Sequence, residues 1–127
     1  MLHDDQMSLR FLDFDCLDDI DGVVTYDAVA TLTKNQLLAL AQEVVIVVQW
    51  GDETFPNARG PLHEGFDWDC ALQVTPALLA LLPPEEQAQA TECEPEYGPQ
   101  GQEWHTLTLT LTGGPAFAEA FRERFGL

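Results

Sequence analysis

Residues 8–16 alternate in polarity, with Leu12, Phe14 and Cys16 on one side and Phe11, Asp13 and Asp15 on the other, which predicts a strand. Asp21-Gly22 supplies turn chemistry, after which residues 23–32 resume a period of two. Val24, Tyr26, Ala28, Ala30 and Leu32 fall on one face, and Thr25, Asp27 and Thr31 on the other. The two segments read as an antiparallel hairpin with a loop wider than two residues.

Thr33 followed by Gln36 forms a capping-box pattern and opens a helix whose apolar stripe is Leu37, Leu40, Ala41, Val44 and Val48. The β-branched run at residues 44–48 favours a strand on propensity alone. That deficit is only a few tenths of a kcal/mol per residue, and the cap, the preceding helix formers and Gly51 as a stop outweigh it. Only Lys34 and Glu43 are charged between positions 34 and 50, so the helix is expected to be buried around most of its circumference.

Residues 51–65, with Pro56, Gly60 and Pro61, read as a long connection, and Arg59 and His63 make it a candidate functional loop. Residues 66–74 then alternate cleanly, with Phe66, Trp68, Cys70, Leu72 and Val74 inward and Asp67, Asp69, Ala71 and Gln73 outward. Thr75-Pro76 begins a short helix through Leu82, which Pro83-Pro84 ends, and a weaker strand is expected at residues 88–94. After an acidic, turn-rich stretch at 92–101, residues 103–112 place His105, Leu107, Leu109 and Leu111 opposite Trp104, Thr106, Thr108 and Thr110. Gly113-Gly114-Pro115 opens a last helix in which Phe117, Phe121 and Phe125 stack one turn apart as core.

These elements predict a single α+β domain over residues 1–127, with a mostly antiparallel sheet of about four or five strands and two main helices on one face. A chain of this length can bury roughly two-thirds of its unfolded surface, so no metal or disulfide staple is required. Cys16, Cys70 and Cys93 are odd in number, lack a CxxC pair and read as reduced. Residues 1–6 lack the basic and apolar regions of a signal peptide, no apolar run reaches spanning length, and the expected location is the cytoplasm.

Charge narrows the partners. The 127 residues carry 22 acidic and five basic side chains, a formal net charge of −17, with Lys34 the sole lysine. Such a polyanion repels phosphate backbones and anionic lipid, which excludes direct nucleic-acid and membrane binding and favours cations or a basic protein surface. A halophile's surface shares this composition.

Motifs of catalysis are sparse. Asp13-Phe14-Asp15 after an apolar strand resembles the nucleophile motif of haloacid-dehalogenase-like phosphotransferases, in which a first aspartate attacks phosphorus and a second handles the leaving group. The resemblance ends at three residues: Leu17 stands where the family has Thr or Val, and the next element reads as antiparallel rather than doubly wound. Asp18, Asp19, Asp21 and Gly22 fail as an EF-hand loop, because that register puts Leu17 first and Ala28 twelfth. His3, His63 and His105 lack metal-ligand spacing, and neither a GxSxG elbow nor a phosphate loop occurs. No cofactor or metal is expected.

What remains is a distributed face. With helices over the side lined by Leu12, Tyr26, Trp68 and Leu109, the other side collects Asp13, Asp15, Asp27, Asp67, Asp69, Thr106 and Thr108, with Phe11, Val29 and Trp104 among them. Apolar anchors within a steering charge suit a protein-binding surface. The expected function is a small interaction module for a basic protein, as an immunity-type protein or adaptor; a homodimer is compatible with it. The alternative is a divalent-cation-dependent enzyme or cation-binding protein using Asp13 and Asp15.

Overall fold

The computed structural model describes residues 8–18 and 21–127. The expectations for residues 1–6, including His3, and for Asp19 in the acidic loop lie outside the described residues. Strands β1 (Asp15–Asp18), β2 (Val24–Leu32), β3 (Trp68–Val74), β4 (Thr91–Glu92), β5 (Glu96–Tyr97) and β6 (Glu103–Gly113) form a mostly antiparallel sheet with helices α1 (Leu37–Thr54), α2 (Pro76–Leu79), α3 (Pro84–Gln89) and α4 (Pro115–Phe125). Its order is β1-β2-β6-β3-β4, with β5 paired to β6, and only the short β3–β4 pairing is parallel. The chain is an α+β fold, as its periodicities predict.

The last strand is the centre of the sheet. β6 pairs along β2 from Val24↔Gly113 to Leu32↔His105, and along β3 from Trp68↔Gly113 to Val74↔Leu107. Both neighbours run antiparallel to β6, so β2, α1 and β3 form a split β–α–β unit with β6 inserted. On the inner face Tyr26, Ala28, Trp68, Leu72, Leu107, Leu109 and Leu111 are buried against Leu40, Val44, Val48, Phe117 and Phe121 of the long helices. Phe117 stacks on Trp68 at 5.2 Å between ring centroids, and Phe121 meets both Phe14 and Tyr26.

Several elements differ from their sequence expectations. The first strand is confined to Asp15–Asp18. The chain ahead of it is tied instead to α1, because the Glu43 carboxylate accepts the backbone N–H groups of Arg10, Phe11 and Leu12 at 2.6, 3.0 and 3.0 Å. Thr33 makes no side-chain cap; a 3-10 turn at Lys34–Gln36 leads into α1. α1 keeps the β-branched run helical and continues through Gly51 to Thr54. Gly51 is retained within the helix for room, since a Cβ there would stand 2.4 Å from the Trp68 ring.

β3 begins at Trp68, and Phe66 is exposed rather than inward. Pro83 ends the Thr75–Leu82 turn, but Pro84 occupies the first position of α3, where its missing N–H costs nothing. That helix takes over the first part of the expected 88–94 strand, leaving Thr91–Glu92. At the chain's end, Pro115 starts α4 and Gly126, at φ 71°, ends it in the left-handed conformation.

Candidate functional site

α1 and α4 cover one face, and among the described residues no helix covers the other. The registers align its side chains in rows: Asp15–Asp27–Thr110–Ala71, then Val29–Thr108–Gln73 and Thr25–Thr112–Asp69. Asp15, Leu17, Val29, Ala71 and Gln73 are exposed, and Asp27, Asp69, Thr106 and Thr108 are half-buried. Neighbouring strands fix two of these groups. Thr110 donates its hydroxyl to Asp27 Oδ1 at 2.6 Å, and the Thr31 and Thr106 hydroxyls lie 3.1 Å apart.

The expected face is only partly assembled. Asp15, Asp27, Asp69 and Thr106 share it. Trp104, half-buried, points the same way beside the β5 pairing at Glu96. Phe11 is not part of it: its N–H is held by Glu43, it packs against the core, and the Arg10 guanidinium lies 5.1 Å over its ring. Asp13 is exposed between buried Leu12 and Phe14, ahead of β1. Asp67 lies just before β3, where its carbonyl accepts the Gly114 N–H, and lines a cleft at the sheet's end.

The loop candidates separate. Ala58–Gly60 runs beside the start of β3, with the Ala58 carbonyl accepting from Asp67 and Trp68 and Gly60 N–H donating to Trp68. That pairing turns Arg59 inward. Its guanidinium donates to Cys70 Sγ at 3.3 Å, meets Asp52 at 3.3 Å and lies 5.5 Å over the Trp68 ring. Burial opposes the guanidinium charge, but Cys70, Asp52 and Glu86 more than offset it. Burial also pushes the Cys70 thiol up despite Arg59, so it is protonated at neutral pH and a poor nucleophile. His63, by contrast, is solvent-exposed on the Leu62–Glu64 turn, 3.6 Å from Glu64.

A further polar chain was not legible as chemistry in the sequence. Thr75 Oγ1 and His105 Nδ1 are 2.9 Å apart, and Glu103 Oε1 lies 2.8 Å from His105 Nε2. The Glu103 contact is close but poorly aligned with the ring N–H, an electrostatic contact more than a formed hydrogen bond. Tyr97 in turn donates to Glu103 Oε2 at 3.1 Å. Hydroxyl, imidazole and carboxylate occur in the order of a nucleophile, base and orienting acid. Thr75 is completely buried, however, so the trio is closed to a substrate, and His105 Nε2 is left without a formed hydrogen bond.

Among the described residues no three His, Cys, Asp or Glu side chains converge as a metal site, and no helix is long and apolar enough to cross a membrane. The chain matches no known protein-family model, no curated protein and no solved structure.

Proposed function

We propose that the protein is an interaction module that binds a basic protein surface through the open face of its sheet, in an immunity-type or adaptor role. The observation that carries this reading is the one-sided cover of the sheet. Asp15, Asp27 and Asp69 lie across three strands on the uncovered side, with exposed Leu17 and Val29 among them. Aspartates at this spacing steer encounter with a cationic surface, and the aliphatic side chains add contact area after docking. The net charge of −17 extends the attraction beyond the face itself.

The test uses a basic partner recovered at low salt, followed by association and dissociation rates at two salt concentrations. Replacing Asp15, Asp27 and Asp69 together by asparagine is expected to slow association and flatten its salt dependence, whereas Val29→Ala speeds dissociation. Unchanged association of the folded triple variant would place the contact on another surface.

A further inference from the structure

At one end of the sheet three strand termini meet. Val24, Gly113 and Trp68 are in register, and the next residues outward, Val23, Gly114 and Asp67, line a cleft of about 320 Å³. Its opposite wall comes from Phe55 after α1, Leu62 on the 3-10 turn, and Phe66. We propose that this cleft is a binding site for a small amine with an apolar, preferably aromatic, body.

Shape comes first. The volume is near the lower end of the roughly 300–1,000 Å³ typical of ligand pockets, and the walls are held. Phe117 lines the cleft and is fixed by its stacking on Trp68. Phe66 is seated over Gly60, where a Cβ would come within 2.6 Å of its ring. Gly114 adopts φ −76°, a value open to any residue, yet a Cβ built there meets no atom within 4 Å. The space beside it is open, so a longer side chain at this position has room to extend toward the cleft.

Charge then selects the ligand. Asp67 is the one charged residue among those lining the cleft, and the other side chains are aliphatic or aromatic. An ammonium gains from the Asp67 carboxylate, and the aliphatic and aromatic lining suits an apolar body. The N-terminus of α4 also borders the cleft and opposes a cation. Its equivalent charge is only about +0.5, half that of one ionised carboxylate and opposite to the field of a chain at −17. The balance favours cations, and a carboxylate ligand would be repelled.

The experiment is a titration of the full chain, followed by backbone amide NMR at fixed ionic strength, with benzylamine, neutral benzyl alcohol and anionic benzoate. Benzylamine is expected to give saturable shifts at Val23, Phe66 and Ala116, with affinity about tenfold above benzyl alcohol, and benzoate none. Gly114→Leu should fill the cleft and abolish the shifts while leaving the fold intact. Asp67→Asn should remove the preference for amine over alcohol. Linear, unsaturable shifts spread over the acidic surface, equal affinities for amine and alcohol in the wild type, or undiminished binding by folded Gly114→Leu would each overturn the proposal.

Discussion

Glu43 shows how one side chain organises a segment that local periodicity misreads. Its carboxylate sits on an otherwise apolar helix face and gathers three consecutive N–H groups that no strand partner takes. Charge-assisted bonds of this kind are worth about 1.5–3 kcal/mol each in isolation and are not additive. Glu43→Ala is expected to lower unfolding free energy by about 2–4 kcal/mol in urea titration. Glu43→Gln should recover part of the loss, because the amide oxygen can still accept. Glu86 has the opposite character. It is buried at the start of α3, and desolvation raises its pKa above the ordinary value of 4.5, with Glu85 and Asp52 adding to the rise and Arg59 opposing it. A raised acid pKa means the ionised form costs stability above the folded pKa, and that cost fades as the pH falls through it. Glu86→Gln should therefore raise the melting temperature at pH 7, and the gain should vanish below about pH 4.5. A gain that persists into acid would assign it to packing instead.

At the scale of elements, α1 is shaped by the ring beneath it. Alanine at an exposed helical glycine stabilises by about 1 kcal/mol, but Gly51 is buried, with Trp68 Cη2 2.4 Å and Cζ2 2.6 Å from where a Cβ would go. Trp68 is itself completely buried between Phe117 and the Arg59 guanidinium, so its ring cannot move aside without disturbing both. Overpacking typically costs about 1–3 kcal/mol. Gly51→Ala should consequently destabilise despite its better propensity, and a calorimetric rise in melting temperature would show that the helix can shift away from β3.

Across the whole molecule 22 acids stand against five bases, and among the described residues few ion pairs relieve the repulsion. Screening acts over a Debye length of about 8 Å near physiological ionic strength. Added sodium chloride is thus expected to raise the melting temperature, with potassium chloride acting alike because the effect is ionic strength rather than site binding. A flat response would mean that the carboxylates are far enough apart for water alone to screen them.

The sequence by itself determined the α+β class, the burial of Tyr26, Trp68, Leu107, Leu109 and Leu111, the helical state of residues 44–48 and the core role of Phe117, Phe121 and Phe125, because the period of apolar positions is a local property, whereas the expected Thr33 cap and Gly51 stop did not form. Apart from the β1–β2 hairpin, which the sequence predicted, strand partners and the polar contacts between distant segments were decided by tertiary structure. Nothing near residue 109 says that β6 enters between β2 and β3, since that register is set by which apolar faces can be buried together. The same holds for Asp27 and Thr110, which meet across 83 positions, and for Arg59, turned onto Cys70 by a backbone pairing that its loop composition does not encode. In the sequence Glu43 is only one of two charges between positions 34 and 50, and the passage of residues 10–12 beside it gave the carboxylate its partners.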